Sequence, residues 1–250
     1  MFEQMTLDNY IKMTTMLVER NGTERNGTER NGTERLRVLE LFSGMECISN
    51  AFREQGHECF TVDWDDRFSS SLHKDISKLE ISDIPWKPDI CFVGFDCTTY
   101  SIAAISHHRR KNPITGNLDP VSDKARFADA MALHVKELLK ELQPKVVIWE
   151  NPVGALRKMD FMREYIRNET TYCQWGFDYR KATDFFSNID LHLKPPCKRG
   201  APCHEKAPRG ARTGIQRISD PVLKAIYPPE LCKWIVKECE EYIYGSTLFI

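Results

Sequence analysis

Short apolar strands that run into polar residues constrain the fold of this chain more than any other feature. Ile90–Val93 is followed by Gly94 and a polar turn that contains Cys97, and Val146–Trp149 is followed directly by Glu150. Short, strongly apolar runs are typical of strands buried inside a parallel sheet. In such a sheet the carboxyl ends of the strands share one edge, where ligands bind. We therefore expect Cys97 and Glu150 to lie close together. The alternative is a small buried cysteine without chemistry.

A strand, a glycine turn and a helical pattern precede these strands, in the order that opens a nucleotide-binding α/β unit. Arg37–Leu41 is apolar and the turn after it holds Gly44. The next strand, Cys59–Val62, ends in Asp63-Trp64. Such folds place an acid here to bind ribose hydroxyls, and a tryptophan can stack on adenine. A surface carboxylate and a core tryptophan are the alternative interpretation of this pair.

Helical and strand patterns fill the rest of the chain. Residues 125–142 are predicted to form a helix with a core-facing stripe of apolar side chains: Phe127, Met131, Val135, Leu138 and Leu142. We predict a further strand within 170–177 and a helix, begun by a proline, within 227–242. Alternating strands and helices predict an α/β fold with a Rossmann-like, mostly parallel, doubly wound sheet.

The first 35 residues are predicted to stand outside this fold. The pentapeptide N-G-T-E-R occurs three times over residues 21–35. Its glycines and its five-residue period fit neither helix nor strand, so we predict a flexible linker. Residues 1–20 have the apolar spacing of one amphipathic helix.

Composition is that of an ordinary soluble globular protein. Hydrophobic residues make up 41% and charged residues 28% of the 250 positions. No apolar run approaches the roughly 18 residues that a membrane helix needs, and the N-terminus lacks a secretory pattern. The nine scattered cysteines favour reduced thiols, as in a cytoplasmic protein. We also expect a monomer without membrane contact. Because the net charge is −1, any nucleic-acid site must be a local patch.

Two basic segments are candidates for contact with nucleic acid. Residues 102–122 form a long polar stretch in which Arg109 and Arg110 could meet phosphates, although charged runs are more often solvated surface. Residues 190–217 hold seven Lys or Arg against two acidic residues. This second segment favours a short module that contacts nucleic acid through four basic side chains: Lys198, Arg199, Arg209 and Arg212.

A zinc site is a weaker alternative for residues 190–217. Cys197, Cys203 and His204 are zinc-ligand types, but their spacing is not that of a standard zinc knuckle. No fourth ligand is apparent from the sequence. From the sequence we therefore assign no metal, and we keep these three side chains as weak candidates for zinc ligands.

Seven short motifs, taken in order, resemble those of the DNA cytosine methyltransferases that modify carbon 5 of the base. They span most of residues 37–236. The motifs are Leu39–Gly44 (L-E-L-F-S-G), Asp63-Trp64, Asp75-Ile76, Gly94–Ser101 (G-F-D-C-T-T-Y-S), Glu150–Pro152, Gly176–Arg180 and Ala225–Leu231.

The resemblance implies an S-adenosylmethionine-dependent methyltransferase that acts on cytosine in DNA. Cys97 would be the nucleophile, Glu150 the acid beside ring nitrogen 3 and Arg180 the partner of the base carbonyl, with Ser101 near phosphate. The cofactor-binding residues would be Phe42, Gly44, Asp63, Trp64, Asp75 and Ile76. The parts of the chain would be an extension at 1–35, a catalytic domain at 36–189, the basic recognition module at 190–217 and a C-terminal segment at 218–250 that returns to the catalytic domain.

Three positions depart from the motifs of the family. Glu46 replaces a glycine near the methionine end of the cofactor, and Asp178 stands where proline is frequent. Asp96 replaces the proline before the cysteine, and its charge is expected to raise the pKa of the Cys97 thiol. These changes keep open the alternative of a catalytically impaired DNA-binding relative. A separate alternative is the same chemistry on RNA or a nucleotide.

Overall fold

A seven-stranded sheet organises the computed structural model, which describes residues 35–205 and 220–245. The strands in order across the sheet are β3-β2-β1-β4-β7-β9-β8. Strands β5 and β6 form a separate antiparallel pair. Their bounds are β1 (Arg37–Leu41), β2 (Glu58–Asp63), β3 (Leu72–His73), β4 (Ile90–Gly94), β5 (Arg109–Lys111), β6 (Leu118–Pro120), β7 (Val146–Pro152), β8 (Ile166–Thr171) and β9 (Ala182–Ser187).

Five neighbouring strands of the sheet, from β3 to β7, pair in parallel, and β9 runs antiparallel to both β7 and β8. The predicted mostly parallel sheet is therefore confirmed. The register places Gly94 beside Glu150 at the carboxyl ends of β4 and β7. The expectation that Cys97 and Glu150 share one edge of the sheet follows directly from this register.

Helices cover both faces of the sheet. Their bounds are α1 (Cys47–Glu54), α2 (Ile105–His108), α3 (Asp123–Leu142), α4 (Pro221–Ala225) and α5 (Pro229–Gly245). Helix α3 packs in a core cluster with Leu39 and Leu41 of β1. Glu40 points to the other face because side chains alternate along a strand, and there it accepts a hydrogen bond from the Ser49 amide of α1 at 2.9 Å. Helix α5 contacts α1 and so lies on the same face as α1, opposite α3. Because helices lie on both faces, the sheet is doubly wound as predicted.

The apolar stripe of α3 differs by one position from the prediction. Ser122 caps the helix by accepting a hydrogen bond from the Ala125 amide, so the helix begins at Asp123. Phe127 was expected in the core, but its side chain is 53% exposed, whereas the neighbouring Ala128 is buried. The prediction for Phe127 is wrong because the buried face of the helix runs through Ala125, Ala128 and Ala132, and Phe127 lies off that face.

Two other segments also differ from their predicted structure. The strand expected within 170–177 is instead β8 and a 3-10 helix, Tyr172–Trp175, which ends at Gly176 with φ 95°. Glycine tolerates this left-handed conformation without steric cost. The polar stretch 102–122 is an ordered one-turn helix, α2, followed by the β5–β6 hairpin.

Several predictions lie outside the described residues. They concern the helix at 1–20, the repeats at 21–35 apart from Arg35, and the contacts of Arg209 and Arg212. The proposed division of the chain into parts stays a prediction. In the described ranges, no helix combines the length and the apolarity that are needed to cross a bilayer.

Candidate active site

The turn that follows β1 holds unusual backbone conformations. Phe42 and Glu46 have φ values of 57° and 53°, in the left-handed region that non-glycine residues seldom adopt. Such conformations cost about 1–3 kcal/mol each and are typical of functional sites. Gly44 also lies in this region, and its amide donates a hydrogen bond to Asp63 Oδ2 at 2.9 Å. The turn after β1 and the acid that ends β2 are therefore in direct contact.

Asp63 and Trp64, at the end of β2, differ in their exposure. The side chain of Asp63 is buried, and its Oδ1 accepts a hydrogen bond from the Asp65 amide. Trp64 is 71% exposed, which leaves its indole ring open for stacking. The alternative of a surface carboxylate beside a core tryptophan is therefore wrong. Beside Gly44, an added methyl group would have no described atom within 4 Å, so the turn also leaves room for a ligand.

Asp75 and Ile76, which follow β3, are held in place by contacts within the protein. Asp75 accepts hydrogen bonds from the amide and hydroxyl of Ser77 and so caps the turn that follows it. The Ile76 side chain is buried in the core, so only its backbone could reach an adenine ring. Together with the open indole and the bonded Asp63, these residues fit an adenosine-type cofactor.

Glu46, the anion that replaces a family glycine, has its charge paired within the protein. Its carboxylate accepts a hydrogen bond from Arg53 Nη1 at 2.9 Å and another from the Thr61 hydroxyl. Arg53 lies on α1 and Thr61 lies on β2. Because these partners satisfy the carboxylate, Glu46 does not present an unpaired negative charge to the cofactor edge.

Cys97 begins a short helical turn beyond β4. Its carbonyl oxygen accepts hydrogen bonds from the amides of Tyr100 and Ser101, at 3.1 and 2.9 Å. Asp96 caps this turn by accepting hydrogen bonds from the Thr98 amide and hydroxyl. The thiol is half-buried. Asp96 thus stabilises the turn with a side-chain cap, where proline would have stiffened the backbone.

Close backbone contacts hold this loop against the chain that follows β7. The Tyr100 carbonyl accepts a hydrogen bond from the Ala155 amide at 2.6 Å, and Ser101 pairs with Gly154 in an isolated bridge. A Cβ atom at Gly154 would lie 2.1 Å from the Tyr100 oxygen, so only glycine fits. Asn151 adds a side-chain hydrogen bond to the Phe95 carbonyl at 2.9 Å. The loop that carries Cys97 is therefore fixed to the end of β7.

Glu150 is buried at the end of β7 with its two oxygens in different surroundings. Oε2 accepts a hydrogen bond from the Tyr227 hydroxyl at 3.0 Å. Oε1 lies 3.8 Å from Lys181 Nζ and has no hydrogen-bond partner among the described residues. Gly94 makes this arrangement possible, because a side chain there would contact the Tyr227 hydroxyl at 3.2 Å.

Lys181, which the sequence did not single out, is the cation beside Glu150. It is buried, and its Nζ donates hydrogen bonds to the Lys224 carbonyl at 2.9 Å and the Tyr172 hydroxyl at 3.2 Å. Arg180, which was expected here, donates instead to the Cys197 carbonyl at 3.2 and 3.3 Å. The prediction for Arg180 is corrected accordingly. The signal in the sequence was the second basic residue of the Arg-Lys pair.

Burial and neighbouring charges shift the pKa values of the two central groups. Burial raises the pKa of Glu150, and this effect is opposed by Lys181 and by the hydrogen bond from Tyr227. Burial also raises the pKa of the Cys97 thiol, and the Glu150 carboxylate raises it further. The Lys181 ammonium lowers this pKa, and Asp96 raises it as a smaller contribution. The expected effect of Asp96 is therefore present but is not the main one.

The predicted phosphate contacts are placed differently from one another. Arg109 is buried, and its guanidinium bonds Asp129 at 2.6 Å and the Thr99 carbonyl at 3.1 Å. Its prediction as a phosphate contact is therefore wrong, since the guanidinium is buried and bonded to other residues of the protein.

The other predicted contacts with nucleic acid lie nearer the surface. Arg110 is exposed and Ser101 is half-exposed. In the second segment, Lys198 and Arg199 are exposed, and the weak metal candidates lie together with Cys173: Cys197, Cys203 and His204.

Comparison with known proteins gives a family match and distant structural similarity. A family described as C-5 cytosine-specific DNA methylase matches residues 36–169. The Entamoeba histolytica methyltransferase EhMeth is 12% identical, with 65% of this chain and 56% of that chain aligned and a TM-score of 0.45. A mutant of Spodoptera frugiperda DNMT2 is 16% identical, with 64% and 53% aligned and a TM-score of 0.39. This chain thus spans little more than half the length of either protein. No curated protein sequence matches it.

The matched residues contain most of the site. They begin one position before β1 and end within β8, so they include the glycine turn, Cys97 and Glu150. Lys181 and Tyr227 reach the same site from later parts of the chain. Because the match covers more than half of the sequence, this chain belongs to the C-5 cytosine-specific DNA methylase family, whose cofactor is S-adenosylmethionine.

Proposed function

We propose that this protein methylates carbon 5 of cytosine in DNA through a covalent adduct on Cys97. The observation that carries the proposal is the position of Glu150 Oε1, a buried oxygen that has no hydrogen-bond partner among the described residues and lies on the same sheet edge as Cys97. A buried polar atom left unpaired costs roughly 1–3 kcal/mol. A protonated Glu150 would recover this cost by donating a hydrogen bond to ring nitrogen 3 of a bound cytosine.

The chemistry of the adduct assigns a task to each of the two central groups. The Cys97 thiolate forms a bond to carbon 6, and the displaced π electrons move through carbon 5 towards nitrogen 3. Glu150 stabilises the charge at nitrogen 3 by donating its proton there. Bound S-adenosylmethionine would supply the electrophilic methyl group that bonds carbon 5, with its methyl–sulfur bond breaking to leave S-adenosylhomocysteine. Nitrogen 3 then returns its proton to Glu150, and a solvent base removes the proton from carbon 5, so that the ring double bond re-forms and expels the Cys97 thiolate.

Lys181 and Tyr227 prepare this pair for the reaction. Tyr227 holds Oε2 of Glu150, which leaves Oε1 to face the base. The Lys181 ammonium favours the thiolate of Cys97 and lies near Oε1. Lys181 thereby takes the position in the site that the sequence had assigned to Arg180. The target base must leave the double helix to reach these groups, at a cost of a few kcal/mol.

Methyl transfer to defined nucleic acids tests the proposal. The full chain is incubated with isotopically labelled S-adenosylmethionine and duplex DNA, structured RNA or free cytidine nucleotides. We expect incorporation into DNA at carbon 5 and its loss in Cys97→Ser. Transfer to RNA or nucleotide alone would reassign the substrate, and transfer that survives Cys97→Ser would exclude the adduct on this cysteine.

A trapping experiment separates an impaired protein from an active one. With 5-fluorocytosine in the DNA, the fluorine cannot leave as the carbon 5 proton does, so the adduct with Cys97 accumulates. We expect a covalent complex that resists denaturation and maps to Cys97 by mass spectrometry. If DNA binds but neither adduct nor transfer is detected, the protein is a non-catalytic DNA-binding relative.

A further inference from the structure

Residues 194–205 fold back onto the turn that follows β8. The Thr170 hydroxyl donates a hydrogen bond to the Lys194 carbonyl at 2.7 Å, and the Cys197 amide donates to the Thr171 hydroxyl at 3.0 Å. The Glu205 amide reaches the Asp178 carbonyl at 2.7 Å. Residues 188–205 form neither helix nor strand, so this contact depends on isolated interactions.

Three thiols and one imidazole converge where the two segments meet. Their ligand atoms all lie within 4.8 Å of one another. The sulfur of Cys173 is 3.3 Å from that of Cys197 and 3.8 Å from that of Cys203. Nδ1 of His204 is 3.6 Å from the Cys197 sulfur and 3.5 Å from the Cys203 sulfur.

These distances match the edges of a zinc tetrahedron. With Zn–S bonds of about 2.3 Å and a Zn–N bond of about 2.0–2.1 Å, ligand sulfurs are about 3.8 Å apart and a sulfur and a nitrogen about 3.6 Å apart. The Cys173–Cys197 separation of 3.3 Å is the shortest edge, yet it far exceeds the roughly 2.05 Å of a disulfide bond. The geometry therefore favours four ligands around one ion over a covalent pair of cysteines.

We propose that a single structural Zn²⁺ ion is bound by four side chains: Cys173, Cys197, Cys203 and His204 through Nδ1. A tetrahedral set of three thiolates and an imidazole is typical of structural zinc and leaves no open position for catalysis. Cys173 is the fourth ligand. The sequence alone did not reveal it, because Cys173 precedes β9 in the chain whereas the other three ligands follow β9. Gln174 supports the site by directing its amide nitrogen at the Cys203 sulfur, 3.5 Å away.

The zinc ion would fasten the basic segment to the catalytic part of the chain. Lys198 and Arg199 directly follow the ligand Cys197, and both are exposed. The Cys197 carbonyl also accepts the two hydrogen bonds from Arg180, next to Lys181 of the active site. One ion at this position therefore fixes two exposed cations relative to the candidate active site. The metal site stands independently of the methyl-transfer proposal.

Metal content tests the inference directly. The full chain is purified without chelators, and its zinc is quantified by inductively coupled plasma mass spectrometry. We expect one zinc ion per chain, and none in Cys173→Ser or in Cys203→Ser. Cys59→Ser is the matched control, because Cys59 bonds the Ser49 carbonyl away from the cluster and should keep its zinc.

Thiol protection keeps the test decisive even where a variant fails to fold. In the unmodified protein, iodoacetamide should leave Cys173, Cys197 and Cys203 unlabelled until a chelator is added, as read by peptide mass spectrometry. Replacement with Co²⁺ should give the visible absorption of a tetrahedral thiolate site. A metal-free protein with these thiols freely labelled, a Cys173–Cys197 disulfide, or zinc retained in Cys173→Ser would each overturn the proposal. Zinc content does not depend on methyl transfer, so failure of one proposal leaves the other intact.

Discussion

At the scale of single residues, the charges around Cys97 determine how much of its thiol is ionised. Burial and Glu150 raise the pKa of the thiol, whereas Lys181 lowers it. The attacking species is the thiolate, so its formation becomes more favourable as pH rises towards this raised pKa. The rate at which a small reagent alkylates Cys97 is thus expected to increase with pH beyond the range in which an ordinary cysteine has already ionised.

Replacing Lys181 should make Cys97 less reactive. In Lys181→Met the thiol loses the charge that lowers its pKa, so its pKa rises and its alkylation profile moves to higher pH. A rise of one pKa unit lowers reactivity about tenfold at pH values below the pKa. Peptide-resolved alkylation against pH measures the shift. Lys181→Arg should return the alkylation profile most of the way to that of the unmodified protein. Lys194→Met, at an exposed lysine, should leave the profile unchanged. An unshifted profile in Lys181→Met would contradict this assignment.

Removing the charge of Asp96 should have the opposite, smaller effect. Asp96→Asn keeps an oxygen that can accept from the Thr98 amide but deletes the anion, so the pKa of Cys97 falls and alkylation at neutral pH becomes faster. Asp96→Ala loses the cap as well, which should cost about 1 kcal/mol of stability, as for a helix N-cap. Alkylation rates and urea unfolding separate the two contributions. Slower alkylation in Asp96→Asn would show that the anion assists the thiol.

At the scale of elements, the loop after β4 depends on its contact with the chain after β7. Gly154 permits this contact because it has no side chain. Arg109 of β5 also holds the loop, because it bonds both Asp129 of α3 and the Thr99 carbonyl of the loop. The guanidinium of Arg109 also lies 4.1 Å from the centre of the Tyr100 ring. The position of Cys97 therefore depends on the packing of Gly154 and on the hydrogen bonds of Arg109.

Gly154→Ala should displace the loop that carries Cys97. The new Cβ would lie 2.1 Å from the Tyr100 oxygen, so backbone must move. A displacement of about 1 Å at a reacting group can lower the rate about 100-fold. Single-turnover methyl transfer measures this loss, and circular dichroism verifies that the protein stays folded. Gly245→Ala, where the added atom has no neighbour within 4 Å, is the control. Equal rates in the two variants would argue against the contact.

Arg109 and its neighbour Arg110 should respond differently to the same substitution. Arg109→Met leaves Asp129 without its buried partner and should destabilise the protein by about 3–5 kcal/mol. Arg110→Met removes an exposed charge, so its unfolding free energy should remain unchanged. If Arg110 contacts a phosphate, its loss should reduce the salt dependence of DNA binding by about one unit of slope. Chemical denaturation and binding titrations at several salt concentrations measure both. A stable Arg109→Met protein would refute the buried role.

At the scale of the whole molecule, the candidate site joins residues that are distant in sequence. Cys97, Glu150, Lys181 and Tyr227 come from four separate stretches, and they meet because β4 and β7 are neighbours and the segment before α5 returns to the sheet. Lys224 takes part through its carbonyl, which holds Lys181. Lys224 and Tyr227, from the C-terminal part of the chain, therefore contact the other residues of the candidate site.

Removing residues 1–35 should leave both folding and methyl transfer unchanged. The repeated N-G-T-E-R sequence has no pattern of a packed element, and the family match begins at residue 36. The unfolding temperature and the single-turnover rate of the truncated chain measure this against the full chain. A truncated protein that fails to fold, or that loses transfer, would show that the extension contributes to the working domain.

Most of the elements and the edge of the site could be predicted from the sequence, although the 3-10 helix Tyr172–Trp175 and the β5–β6 hairpin could not. Strand and helix patterns arise from side-chain periodicity, which is local, and the glycine turn, Asp63 and Cys97 lie in short motifs that one stretch of chain contains. Which cations and thiols meet depends instead on the folded arrangement of distant segments. Lys181 rather than Arg180 faces Glu150, Arg109 is buried against Asp129, and Cys173 joins a cluster that begins 24 positions later. These choices depend on the register of β8 and β9 and on long-range packing, neither of which has a local signature.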